Sequence, residues 1–329
     1  MFADTKKILT KAYKGKYAIA HFNINNMEIA QGVVQAAVNM KAPIILATSE
    51  GAIKYAGLNY LRQIAQTSQN LTNVPIALHL DHGRDIQTIK NCIKADFSSV
   101  MFDGSNLDYK TNLKITKQLT TLAHKKGIYL EAELGTIGGA EDLVSAKKII
   151  YTKPEQAKEF VEKTGCDFLA VAIGTSHGAY KFKTKAKLKI DILKEIKRLT
   201  KVPLVLHGAS GVPKSIVTKA QKYGANLKGV MGVSDNQIKL AIKNGICKIN
   251  TDTDLRLAFD AAIREHLKKN LKDFDPRHIL APARNLITKV AQKRIEVFGS
   301  KNKAWINPFF ITKKQIFINK KNLLSYIII

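Results

Sequence analysis

The chain has 329 residues, 45% of them hydrophobic and 24% charged, with a formal net charge of +27 at pH 7. That length suits one large α/β barrel or two ordinary domains, and the composition is that of a soluble globular protein. No 18-residue run lacks charged or strongly polar residues, so no membrane span is expected, and the N-terminus has lysines but no apolar segment with a cleavage site.

The basic charge has two readings, a surface for nucleic acid or anionic membrane and a lysine-biased set of solvated helix faces. The lysines recur along the whole chain and form no block, which favours the second reading. Such a field would also steer phosphorylated substrates inward. Cys92, Cys166 and Cys247 are scattered, with no C-x-x-C spacing. That pattern argues for a reducing compartment and against a disulfide frame or a thiolate metal site.

In chain order a unit repeats: a short apolar strand, a polar residue at its end, then an amphipathic helix. The first two strands are residues 18–22, ending at Asn23, and 44–47, ending at Thr48-Ser49. The third begins at Val74-Pro75 and runs through Leu78-His79-Leu80 into Asp81-His82-Gly83. The fourth is 99–102, ending at Asp103, and the fifth is 128–132, ending at Glu133. The sixth is 168–173, leading through Gly174 to His177; the seventh is 203–206, ending at His207. The eighth is 246–249, ending at Asn250. Helices are expected over 28–39, 86–95, 110–126, 154–164 and 190–200, and beyond the eighth strand over 254–268 and 281–298. Pro154 and Gly165 bracket one of them with the usual start and stop chemistry. Eight strands alternating with helices predict an α/β (β/α)8 barrel with a C-terminal helical extension, and in that fold the active site lies at the C-terminal strand ends.

Two connections exceed what a barrel needs and are candidate lids: 135–152, with Gly138-Gly139-Ala140-Glu141-Asp142, and the loop holding Gly224, Gly229 and Gly232. Residues 1–303 are read as one barrel domain. Residues 304–329 mix Trp305, Phe309 and Phe310 with lysines and read as an extension of unassigned role.

His82, His177 and His207 fall at the ends of strands three, six and seven, each beside a glycine. One such histidine reads as a loop or core residue. Three converging on one barrel face point to a catalytic metal of the zinc type. His79 and His21 lie within strands and read as core or supporting residues, and His124, His266 and His278 as structural. Asp103 and Glu133 would orient the ligands or hold a second cation, or form ordinary salt bridges. After strand seven comes Gly208-Ala209-Ser210-Gly211, leading to a helix near Pro213; after strand eight comes Asn250-Thr251-Asp252-Thr253, opening another helix. Backbone N–H groups and helix dipoles converge there, where barrels commonly bind phosphate. By themselves Asp252 and Thr253 would read as N-caps.

Together, the segments 78–83, 131–135, 173–181, 206–210 and 248–256 closely resemble class II fructose-bisphosphate aldolases, over about residues 1–303. The resemblance implies cleavage of D-fructose 1,6-bisphosphate to dihydroxyacetone phosphate and D-glyceraldehyde 3-phosphate. It implies Zn2+ on His82, His177 and His207, with Asp103 and Glu133 at a second divalent position. It also implies Asp81 as acid/base on the C4 hydroxyl and Glu141 as the loop carboxylate exchanging the proton of the dihydroxyacetone-phosphate carbon. Gly178, Lys181, Gly208, Ala209, Ser210, Asn250, Thr251, Asp252 and Thr253 would form the triose-phosphate pocket, with Asn23 beside it and Ser49 on the aldehyde side. Arg256 would be lent across a dimer to the far phosphate. A monovalent cation (Na+ or K+), a homodimer or homotetramer and a cytoplasmic location are further implications. The chain departs from the family at His21, where small residues are usual, just after Ser105, and after Lys303.

The chemistry fits the residues independently. Breaking a carbon–carbon bond β to a carbonyl needs an electron sink, either a Lewis-acid metal or a lysine Schiff base. Lys248 is the only strand lysine near the mouth, deeper than Asn250, and no lysine ends strand six. The metal route is therefore expected. Tagatose 1,6-bisphosphate, the C4 epimer, is the nearest alternative substrate. A basic binding protein would instead show steep salt dependence and indifference to chelators. A decayed barrel would have lost some of these positions, and none is missing.

Overall fold

The computed structural model describes residues 1–141, 144–146, 149–178 and 187–305. The first strands are β1 (Ile19–Asn23), β2 (Ile44–Ser49), β3 (Ile76–Gly83), β4 (Ser99–Phe102) and β5 (Tyr129–Leu134). After them come β6 (Gly138–Glu141), β7 (Val144–Ala146), β8 (Phe168–Val171), β9 (Ser176–His177), β10 (Leu204–Leu206) and β11 (Ile246–Thr251). Eight of these close a parallel barrel in the order β1-β11-β10-β8-β5-β4-β3-β2, the alternation expected from the sequence.

Helices α1 (Thr5–Gly15), α2 (Met27–Met40), α3 (Glu50–Ala56) and α4 (Leu58–Leu71) come first. Then follow α5 (Ile86–Lys94), α6 (Tyr109–His124), α7 (Pro154–Thr164) and α8 (Ile190–Thr200). The last are α9 (Lys214–Lys222), α10 (Asp235–Lys243), α11 (Thr253–Lys269) and α12 (Pro276–Phe298). Caps set many of the starts: Asn26, Ser49, Asp85, Asp108 and Ser234 each accept a first-turn N–H. Helix α12 begins at Pro276 rather than at residue 281, because Asp275 caps it and Pro276 occupies the first turn; it then runs through Pro282.

The period of two along the strands sorts the barrel into layers. Ala20, Phe22, Leu78, Leu80, Leu130, Ala132 and Ile249 belong to the large buried apolar cluster shared with the surrounding helices. The alternate residues face inward. Ile19, Ile45, Ala77, Met101, Phe168, Ala170 and Val205 form an apolar floor, which Ile8, Leu9 and Ala12 of α1 seal. Above it the inward positions turn polar, with His21, His79, Glu131, His207 and Lys248 all fully buried. That change places the chemistry at the C-terminal mouth.

The first long connection is anchored at its base. Strands β6 and β7 pair as an antiparallel hairpin, and β6 pairs in parallel with β9, Gly139 opposite His177. In the second, the Val233 N–H donates to the Ser210 carbonyl at 3.1 Å, docking that loop on the turn after β10. At the other end of the chain the Ala304 N–H donates to the Lys41 carbonyl, and Lys11 lies 4.0 Å over the Trp305 ring. No helix among the described residues is long and apolar enough to cross a membrane.

Candidate active site

Strand β3 ends in a turn that aims His82 across the mouth. His82 adopts a left-handed backbone, φ 48°, a costly state for a residue with a side chain and one that clusters at functional sites. Gly83 follows because a Cβ there would meet the Met101 carbonyl and the Ile89 side chain. Glu50 pins the turn, accepting the N–H groups of Arg84 and Asp85, both at 2.7 Å.

His82, His177 and His207 come together with potential ligand atoms all within 4.8 Å of one another. The rings of His82 and His177 lie 4.8 Å apart by centroid, and those of His82 and His207 4.5 Å. Carboxylates hold two of them. His82 Nδ1 faces Asp103 at 3.1 Å, and His207 Nε2 faces Glu131 at 2.8 Å. A carboxylate only accepts, so each of these imidazoles gives its N–H outward. What remains is His82 Nε2 facing His207 Nδ1 at 2.8 Å. At that range a single proton on His82 joins the two nitrogens, and the Asn250 amide reaches the same His207 nitrogen at 3.1 Å. Three imidazoles converge within 4.8 Å, two of them with tautomers fixed by carboxylates, and that donor set fits a divalent metal that would displace the shared proton.

The titration of the cluster follows the same logic. Burial works against a charged His82, but Asp81, the Asp103 hydrogen bond and Glu133 outweigh it and push the imidazolium up to about 10. Burial, then His82 and Lys248, hold His207 well below the usual histidine range. Burial and the Asp103 charge push Glu133 well above the carboxylate range. Asp103 goes the other way: burial is offset by His82 and Arg84, which hold its carboxyl far below its ordinary value. Arg84 Nε and Nη2 sit 3.0 and 2.9 Å from Asp103 Oδ2. Arg84 thus already places a cation on Asp103, and His82, Asp103 and Glu133 also form a group that could hold an ion.

Asp81 lies beside the triad and is 5% exposed. Asn23 and Asn250 each donate to one of its oxygens at 2.8 Å. Burial raises its pKa, but His82, His207 and Lys248 together bring it below the ordinary value, so Asp81 is an ionised carboxylate. Below it Lys248 donates to both oxygens of Glu131, at 3.0 and 2.8 Å. That pair commits Lys248 to the barrel interior. His79 donates to or accepts from Ser99 at 2.8 Å and is a supporting core residue, as its place within the strand suggests.

On the other side of the mouth, Gly208, Ala209 and Ser210 follow β10, and Asn250 and Thr251 end β11. Asp252 stands at the N-cap of α11 but makes no capping bond; its carboxylate takes Arg256 Nη2 at 2.7 Å instead. Ser49 caps α3 through Ala52 N–H at 3.1 Å. Gly178 follows β9. The side chain of Glu141 and the whole of Lys181 lie outside the described residues. The reading from sequence missed Arg84, Asp254 and Arg294 and gave Glu131 no partner. Of these only Glu131 had a signal, its spacing of two from Glu133 on a strand.

A profile of the family described as "Fructose-bisphosphate aldolase class-II" matches residues 3–303. The chain belongs to the class-II fructose-bisphosphate aldolase family. The fructose-bisphosphate aldolase of Thermus caldophilus is 46% identical over 306 residues, 92% of this chain and all of that one. That of Giardia intestinalis is 45% identical over 298 residues, 90% of this chain and 92% of its own. Among solved structures, the YdjI aldolase of Escherichia coli K12 superposes with a TM-score of 0.76 at 34% identity, covering 93% of this chain and 100% of the other.

Proposed function

We propose that this aldolase cleaves D-fructose 1,6-bisphosphate reversibly to dihydroxyacetone phosphate and D-glyceraldehyde 3-phosphate, using zinc on His82, His177 and His207. The observation that carries the reading is the convergence of three imidazoles with ligand atoms within 4.8 Å, two of the rings tied behind by carboxylates. Zinc bound there supplies a Lewis acid that polarises the substrate carbonyl and so stabilises the charge that develops as the carbon–carbon bond breaks.

The rest falls to the protein. Asp81, ionised and held by Asn23 and Asn250, takes the C4 hydroxyl proton as the C3–C4 bond cleaves. Glu141 returns a proton to the C3 carbon of the departing triose, and the 135–152 connection excludes water while it does so. Backbone N–H groups of the loop after β10 and the N-terminus of α11 take the triose phosphate, with Gly178 and Lys181 beside them and Ser49 toward the aldehyde. Arg256 reaches the far phosphate of a partner subunit in a homodimer or homotetramer. Glu133 with Asp103 forms the second divalent position, and a monovalent cation (Na+ or K+) is a further cofactor. Residues 1–303 form the catalytic domain. Three buried cysteines with thiols pushed up to about 12 by burial suit a reducing, cytoplasmic location.

The test is cleavage of fructose and tagatose 1,6-bisphosphates side by side, with chelator and with zinc added back. Chelator-sensitive cleavage restored by zinc, with kcat/KM higher for fructose, is the expected result. Preference for the tagatose epimer would reassign the substrate, and no cleavage of either sugar by zinc-loaded protein would sink the reading.

A further inference from the structure

The glycine loop after β10 is braced from outside the barrel by charged side chains. Gly211 and Val212 donate their N–H groups to Asp254 at 3.1 and 2.7 Å. Asp254 sits in the first turn of α11 and is fully buried. Arg294, from α12 and 4% exposed, places Nε 3.8 Å from Asp254 Oδ2 and Nη2 2.9 Å from Asp235 Oδ1 at the start of α10. Its Nη1 presses on Gly211, where a Cβ would fall 2.5 Å away. Gly232 packs against the Gly211 backbone just as closely, and Val233 holds the Ser210 carbonyl. Around these contacts lies a cleft of about 960 Å³, bounded by the start of α9, residues 229–235 and α12. Polar struts therefore reach the loop alongside its apolar packing, where Ala209, Val212 and Val233 belong to the core.

We propose that Arg294 is a positioning residue for the triose-phosphate loop. It bridges Asp254 and Asp235 and so fixes where Gly208, Ala209 and Ser210 present their backbone to the phosphate. The proposal rests on the reading of that loop as the phosphate cradle. Arg294 does not touch substrate; it acts through Asp254. Without it a buried carboxylate holding two backbone N–H groups loses its counter-charge. Asp254 then shifts or takes up a proton, and the Gly211 and Val212 N–H groups move with it. A displacement of about 1 Å at a binding cradle is enough to cost about a hundredfold.

The experiment uses the zinc-loaded full chain in the condensation direction, varying each triose separately. Arg294→Met is expected to raise the KM for dihydroxyacetone phosphate about tenfold and leave that for glyceraldehyde 3-phosphate within about twofold. Arg294→Lys, which keeps the charge but loses the fork, should restore part of the difference. A folded Arg294→Met enzyme with both KM values unchanged, or both raised alike, overturns the proposal. If Arg294→Met does not fold, Asp235→Asn at the other end of the strut decides. A selective rise in the dihydroxyacetone-phosphate KM supports the strut, and no rise overturns it. Gly208→Ala, which puts a Cβ against the Ser176 backbone and so displaces the cradle's own backbone, separates the two layers of inference. A dihydroxyacetone-phosphate KM indifferent to that change removes the cradle reading itself, whatever Arg294 does.

Discussion

On the histidine side of the mouth, the reactive atoms belong to side chains and other side chains hold them. Asp103 and Glu131 fix two imidazoles, and Arg84 and Lys248 neutralise those carboxylates in turn. On the glycine side, the reactive groups belong to the backbone, and the bracing reaches it from helices behind the barrel. The first arrangement needs strands to place its residues. The second needs three helices, α10, α11 and α12, to agree on the position of one loop. Damage to the first side should therefore appear in kcat and metal content, and damage to the second in KM.

The largest effect is expected from His207→Ala. It removes one of the three converging imidazoles and its contact with Glu131, and kcat should fall by at least about a thousandfold. Zinc per chain, read by elemental analysis, should fall with it. Full zinc occupancy in that variant would mean that the ion sits elsewhere, on His82, Asp103 and Glu133. Asp81→Asn comes next, with cleavage slowed by about a hundredfold to ten-thousandfold. Exchange of the dihydroxyacetone-phosphate C3 proton with solvent, followed by NMR, should continue, because the role proposed for Asp81 is confined to the C4 hydroxyl. Loss of both cleavage and exchange with zinc retained would merge the two proton-transfer roles.

The difference between the two sides also decided what could be read from the sequence. His82, His177 and His207 announce themselves because strand ends are recognisable as apolar runs and imidazoles are rare. The barrel order followed from the same runs. Helices α1, α3, α4 and α10 left a weaker mark, being short or mixing their apolar residues with polar ones. Asp254 looked like one more residue in a helix start, and Arg294 like one more cation on a basic helix. Nothing local says that Arg294 is buried, because its burial depends on Asp254 and Asp235, 40 and 59 positions away. Chemistry carried by side chains on strands is legible from local pattern; support carried across helices is not.

Lys248 tests the histidine side from beneath. Lys248 and Glu131 are both fully buried, so Lys248→Met leaves an uncompensated carboxylate and should cost about 3–5 kcal/mol of stability by urea unfolding. Adding Glu131→Gln should recover much of that loss, the non-additivity of a direct pair. Borohydride should trap no adduct on the wild-type enzyme. An adduct at Lys248 would overturn the metal route and restore the Schiff base.

The smallest effect lies just behind the histidine turn, and it asks whether that side also leans on its helix. Asp85 caps α5, accepting the Gln87 and Thr88 N–H groups at 3.1 and 2.9 Å and the Thr88 hydroxyl at 2.7 Å. These bonds, the Thr88 hydroxyl foremost, hold its carboxyl below the ordinary value. A folded-state value lower than the unfolded one gives stability that is full above the unfolded value, about 3.9, and fades as pH falls through the folded one. Asp85→Ala should therefore cost about 1 kcal/mol at pH 7, with the gap to wild type narrowing below about pH 4. A gap unchanged at lower pH would show that the cap does not depend on ionisation. Zinc affinity measured on the same variant carries the comparison further. If strands and carboxylates alone hold His82, affinity should stay within about twofold of wild type. A larger fall would mean that the strained turn at His82 depends on α5, as the glycine loop depends on α11 and α12.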